Sequence, residues 1–172
     1  MRIFRIGILL LFSCLILGSC GAAMQASRAE REAERLAYAE AIQKGDFILD
    51  ITQIIPRGYP SRTSTGEYSL RLKESVVDTR LPFLGESRMP VFGGNDEISI
   101  VFEKEKVVLQ SDFSDARKGE YRYIFQGGKG QDKWTVTLQL YDNGRANIGC
   151  ASRSGRYMSF IANIVIPDEV QK

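Results

Sequence analysis

The 172-residue sequence contains no histidine. That excludes Ser-His-Asp and Cys-His catalysis, histidine-ligated metals and histidine pH switching. Cysteine is scarce, at three residues (Cys14, Cys20 and Cys150). A long membrane-spanning run is missing as well. The apolar stretch Ile6 to Leu17 falls well short of the roughly 20 residues that a transmembrane helix needs. Nor is there a usable excess of positive charge, as the leader makes clear.

That leader begins Met1-Arg2-Ile3-Phe4-Arg5, a short basic start, and continues into the apolar run, which is the layout of a secretory signal. Leu17-Gly18-Ser19-Cys20 follows. A branched apolar residue, two small residues and a cysteine form a bacterial lipobox, in which the thiol is acylated (palmitate) and the chain is cut just before it. The small residues let the peptidase close on the Ser19–Cys20 bond. Cys14 fits less well, because Phe12 occupies a place where a small residue is wanted. The expectation is a signal peptide over 1–19 and a lipid on Cys20.

Cleavage removes Arg2 and Arg5 and no acid, leaving 21 basic and 21 acidic side chains. A neutral chain gives no support for nucleic-acid binding. Cys14 departs and Cys20 is acylated, so Cys150 is left without an intrachain disulfide partner. Gly21-Ala22-Ala23-Met24 carries no acidic run, which points to the periplasmic face of the outer membrane.

Residues 24–44 are rich in Ala, Glu and Arg and hold neither Gly nor Pro, a strongly helical composition. Arg28–Glu32 and Glu40–Lys44 stand four apart, where opposite charges pair along a helix. Large apolar residues appear only near the end, at Leu36, Tyr38 and Ile42. Residues 20–44 thus read as a lipid-anchored helical spacer.

From Gly45 the period changes to two. Phe47, Leu49 and Ile51 alternate with Ile48, Asp50 and Thr52, and Leu70 and Leu72 with Arg71 and Lys73. Val76 to Leu81 follows a tight connection at Glu74-Ser75. Ile98 to Phe102, Val107 to Phe113 and Tyr121 to Phe125 continue the series. Trp134 to Leu140 and Ala146 to Cys150 flank Asn143-Gly144, a pair suited to a type I′ turn. Met158 to Ile164 comes last. These make about nine short strands without the long crossovers of a parallel sheet. The predicted fold of residues 45–172 is all-β, an antiparallel meander forming a barrel-like (lipocalin-like) or sandwich domain.

Two stretches interrupt the alternation, Ile55 to Gly66 and Pro82 to Asp96. The second carries Phe83, Leu84, Met89 and Phe92, an unusual apolar load for a loop. It reads either as a plug for one end of the barrel or as a lip over a ligand cavity.

The order of motifs resembles a known family. A lipobox and an Ala/Glu/Arg helix precede Phe47 and Tyr68-Ser69-Leu70. Leu81-Pro82-Phe83-Leu84-Gly85, Gly93-Gly94 and Phe102 follow, then Gly119-Glu120-Tyr121, Asn143-Gly144 and Arg156-Tyr157-Met158-Ser159-Phe160. This is similar to domain-of-unknown-function family 4251, lipoproteins of Bacteroides-type bacteria, over Ile42 to Ile164. Leu84 and Phe160 depart from the pattern, which has aromatic and tyrosine residues there. The resemblance implies location and fold and supplies no catalytic residue.

Little else suggests chemistry. Gly127-Gly128-Lys129-Gly130 lies between strands and lacks the Ser/Thr of a phosphate loop. Asp112, Asp115 and Asn95-Asp96-Glu97 lack calcium-loop spacing. Cys150 alternates with inward residues and reads as a small buried hydrophobe. No metal, cofactor or catalytic set is expected. The sequence therefore reads as a non-catalytic envelope lipoprotein, held to the membrane through Cys20, whose β domain binds a protein or cell-wall partner. A carrier of a small apolar ligand inside the barrel is the alternative, and a two-carboxylate hydrolase a distant third.

Overall fold

The computed structural model describes residues 28–64, 68–83, 99–128 and 133–167. The chain divides into two compact units, Met1–Leu36 and Ala37–Lys172. A helix, α1, covers residues 28–44, and its first nine residues are solvent-exposed. Within the second unit its last turns carry buried Ala41 and Ile42, with Tyr38 and Ala39 packed against the same core. The helix ends at Gly45, which has a left-handed φ of 67° and donates its N–H to the Ile42 carbonyl at 3.0 Å.

Ten strands follow: β1 (Asp46–Pro56), β2 (Arg62–Thr63), β3 (Ser69–Lys73), β4 (Val76–Pro82), β5 (Ser99–Lys106), β6 (Gln110–Asp112), β7 (Glu120–Gly127), β8 (Trp134–Tyr141), β9 (Arg145–Ser152) and β10 (Tyr157–Val165). They form one sheet in the order β5-β4-β3-β1-β10-β9-β8-β7-β6, with β2 paired to the far half of β1. Every pairing is antiparallel. Because the first long strand pairs with the last, the meander curls on itself as a half-closed barrel. The barrel expectation thus holds, and a two-sheet sandwich does not describe it.

Inward positions alternate as the pleat requires. Phe47, Leu49 and Ile51 point in from β1, Leu138 and Leu140 from β8, Ile148 and Cys150 from β9, and Phe160 and Ala162 from β10, all at most 1% exposed. Two bulges help the sheet to curl. In β1, Ile51 pairs with Ala162 but Gln53 with the adjacent Ile161, so Thr52 is the extra residue; its hydroxyl donates to the Ile161 carbonyl at 3.1 Å. In β5 the extra residue lies between the partners of Val77 and Thr79, where Lys104 has a φ of 47°.

The two end strands of the sheet are neighbours in sequence, separated only by residues 107–109. Val107 to Phe113, expected as one strand, is therefore divided. Val107 is buried, Val108 is 82% exposed, and only Gln110–Asp112 join the sheet. The run spans the seam between β5 and β6 instead of lying in it. Side chains bridge the seam at two further points. Phe102 of β5 meets Phe125 of β7 edge-on, with centroids 5.8 Å apart. The Gly128 N–H donates to Glu105 Oε2 at 3.1 Å. Gly127 makes this approach possible, since a Cβ there would stand 2.6 Å from Phe102.

The turns differ from expectation as well. Between β8 and β9 the loop is Asp142-Asn143-Gly144, with Gly144 N–H donating to the Tyr141 carbonyl and only Gly144 at positive φ (81°). That is a three-residue loop, not the predicted type I′ turn, which would need Asn143 at positive φ too. The two-residue turn with both φ positive occurs at Glu74 (48°) and Ser75 (74°), between paired Lys73 and Val76.

Candidate functional site

Three places on the domain gather side chains with chemical potential. The first is the barrel end formed where β4 stops and β8 starts. Phe83, 8% exposed, packs on Trp134 with ring centroids 5.5 Å apart. The Arg156 guanidinium lies over both rings, at 5.2 Å and 5.4 Å from their centroids, and its Nε donates to Ser154 Oγ at 3.1 Å. A guanidinium within about 6 Å of a ring centroid is a favourable cation–π arrangement. It joins the hairpin between β9 and β10 to the end of β4. Phe83 thus covers this end of the core; Leu84, Met89 and Phe92, with the rest of the stretch read as plug or lip, lie outside the described residues, as do Ser19 and Cys20.

The second is a shallow cleft of about 50 Å³ between the turn at Ser114 and Asp115 and strands β6, β7 and β8. Asp112, Asp115, Glu120 and Arg122 line it over buried Tyr121 and Leu140. Two of its carboxylates already serve the fold. Asp112 Oδ1 accepts the Ser114 N–H at 3.1 Å, which draws its carboxyl below the usual range. Asp115 pairs with Lys118 at 2.8 Å and pulls that ammonium's pKa up. Both are local turn contacts on exposed groups, and such pairs contribute little. Among the described residues no three His, Cys, Asp or Glu side chains converge as metal ligands.

The third is Cys150, fully buried on β9 between Val136 and Met158 in the sheet register. Burial pushes its thiol up to about 12, so the nucleophilic thiolate is suppressed. It fills core volume, as alternation predicted. The glycine-rich segment leads from β7 into its hairpin partner β8, not into a helix, and so presents no helix N-terminus to a phosphate.

Sequence reasoning missed two features. The Phe83–Trp134–Arg156 stack joins residues far apart in the chain, and no local pattern signals it. The other is the outward face of β8, β9 and β10, almost devoid of charge. Its composition is visible in the sequence, but only the register places those side chains on one surface.

The comparisons with known proteins bear on the fold. The crystal structure of a DUF4251 family protein from Bacteroides eggerthii matches with a TM-score of 0.54 and 11% identity, over 78% of this chain and 88% of that one. At that identity the likeness is one of fold. No curated protein matches the chain. The family described as Domain of unknown function (DUF4251) matches residues 29–164, taking in most of helix α1 and all of the ten strands but the last residue of β10. The chain therefore belongs to the DUF4251 family.

Proposed function

We propose that this protein is a lipid-anchored component of the cell envelope whose barrel is a non-catalytic module that binds a protein or cell-wall partner with its outer surface. The observation that carries the outward reading is the filled interior. Phe47, Phe102, Phe125 and Phe160 are all fully buried inside the curl, and Phe83 and Trp134 cover one end. A carrier needs a lined cavity of several hundred Å³, whereas small barrels are commonly filled by their own side chains. The chemistry of the described residues agrees. The one free thiol among them is buried, and two of the surface cleft's acidic groups, Asp112 and Asp115, are engaged in turns.

The anchor reading rests on the order basic start, apolar run, Leu17-Gly18-Ser19-Cys20. Without an acidic run after Cys20, the periplasmic face of the outer membrane is the assigned location.

Two measurements test this. Radiolabelled palmitate should enter the wild-type chain and not Cys20→Ala, which should fractionate as a soluble, folded protein. A Cys20→Ala chain that stays acylated and membrane-bound defeats the anchor reading. Native mass spectrometry of the full chain released in mild detergent should show protein and its acyl group alone. An additional small-molecule mass that is lost on unfolding would establish the carrier reading instead.

A further inference from the structure

The loop between β8 and β9 holds a reactive pair, Asn143 and Gly144. When glycine follows asparagine, no side chain hinders attack of the backbone nitrogen on the side-chain amide. Here the fold treats the two partners differently. Asn143 is solvent-exposed, and its Oδ1 accepts the Arg145 N–H at 3.1 Å. A donor on that oxygen favours the negative charge that builds there during attack, so the electrophile stands ready.

The nucleophile is withheld. Gly144 is buried, its N–H donates to the Tyr141 carbonyl at 3.1 Å, and its carbonyl accepts the Ile164 N–H at 2.7 Å. The Tyr38 ring fills the space where a side chain would stand. Gly144 is therefore pinned from three sides, by β8, by β10 and by the last turns of α1.

We propose that Asn143 is a deamidation site gated by the seat of Gly144. In the open loop the Gly144 nitrogen loses its proton to hydroxide and bonds to Asn143 Cγ. The bond from Cγ to the amide nitrogen then breaks, and that nitrogen leaves as ammonia with a proton taken from water. The product is a five-membered succinimide, which water opens at either carbonyl to aspartate or isoaspartate. In the closed loop the proton is held against the Tyr141 carbonyl. The nitrogen reaches Cγ only if Gly144 gives up its contacts with Ile164 and Tyr38.

The isoaspartyl product does not restore the seat. Its main chain runs through the former side chain, which adds a methylene between Asp142 and Gly144. That shift takes Gly144 away from Ile164 and Tyr38, so the last turns of α1 lose their rest on the loop. The change is one-way, and it is independent of what the outer surface binds.

The test follows Asn143 in the full chain in mild detergent at pH 8, folded and in denaturant, by chromatography and mass spectrometry of the proteolytic peptide that holds it. A reaction that needs the open loop runs at the unfolded rate multiplied by the open fraction. The folded chain should therefore convert about tenfold more slowly, or slower still. Tyr38→Ala leaves both reacting groups and their hydrogen-bond partners in place and removes the ring. It should speed conversion of the folded chain several-fold and leave the unfolded rate unchanged; Tyr38→Leu takes its place if the alanine variant does not fold. The isolated isoaspartyl chain should also melt below Asn143→Asp, which keeps the length of the main chain. No conversion in denaturant overturns the site. Equal rates in folded and unfolded wild type, or no rise in a folded Tyr38 variant, overturn the gate. Equal melting of the isoaspartyl chain and Asn143→Asp overturns the loss of the seat.

Discussion

The Tyr38 ring lies where a side chain on Gly144 would go: a Cβ built on that glycine would stand 2.9 Å from the ring's Cζ. The last turns of α1 therefore rest on the β8–β9 turn, and two demands meet at one glycine. Its φ of 81° belongs to the left-handed region, and its missing side chain makes room for the tyrosine. A non-glycine residue in that region costs about 1–2 kcal/mol from backbone sterics alone. Gly144→Ala should lose that much and more, and Gly144→Val more still. In a domain of this size the melting temperature should fall by roughly 4 °C per kcal/mol. The double variant Tyr38→Ala/Gly144→Ala separates the causes, since it retains the φ strain and relieves the contact. If Gly144→Val melts within a degree of the parent, this account of the turn is wrong.

The opposite change is expected at Glu74 and Ser75. Both residues of this two-residue turn sit at positive φ, and neither has the short, permissive backbone chemistry such turns favour. Their backbone contacts do not depend on side-chain identity: Glu74 N–H donates to the Gly45 carbonyl, and the Ser75 carbonyl accepts the Val107 N–H. Glu74→Asn with Ser75→Gly should therefore raise stability by about 1 kcal/mol or more, read as a higher thermal midpoint. A lower midpoint would mean that the native side chains stabilise the turn in a way its backbone geometry does not reveal.

These two turns show where local pattern misleads. Asn143-Gly144 has the composition of a type I′ turn and adopts a longer loop, whereas Glu74-Ser75 adopts the tight turn without that composition. Helix α1 and the alternating strands were legible because each displays its own period. Bulges were not. The spacing from Ile51 to Ile54, both inward, breaks the period of two at Thr52, and a single strand in isolation gives no reason for an extra residue. Val107-Val108-Leu109 has strand-like composition, yet geometry assigns it to the crossing between the sheet's two ends. The outer face of β8, β9 and β10 combines both cases: its residues are plain in the sequence, and their convergence depends on the pairing Thr137–Gly149–Ser159.

Cys150 should be chemically silent in the folded protein. Burial raises its thiol to about 12, so the stability linked to keeping it protonated is present below its ordinary value near 9 and is lost as pH climbs through about 12. A disulfide-exchange reagent at pH 8 should label it only after denaturant unfolds the chain, in both the wild-type protein and Cys20→Ala. Labelling of the native protein within seconds would place the thiol at the surface and refute its role as core filler.

Tyr123 joins α1 to the barrel from below. Its hydroxyl donates to the Ile42 carbonyl at 2.7 Å, close to the helix end, while its ring packs against Phe113 and Phe47. Carbonyls in the last turn of a helix lack intrahelical partners, and this one receives both the Gly45 N–H and the phenol. Tyr123→Phe keeps the ring and the Gly45 bond. Its cost should thus stand near the low end for a buried hydrogen bond, about 1 kcal/mol. The pH dependence gives a sharper readout. Burial raises the phenol above its ordinary value near 10, so its protonated form contributes stability that is intact below pH 10 and disappears as pH rises through the shifted value. Denaturant midpoints of wild type and Tyr123→Phe should differ by a constant amount from pH 7 to 9, and the wild-type advantage should shrink above pH 10. An advantage that stays constant into strong alkali would mean that the buried phenol is not what fastens the helix.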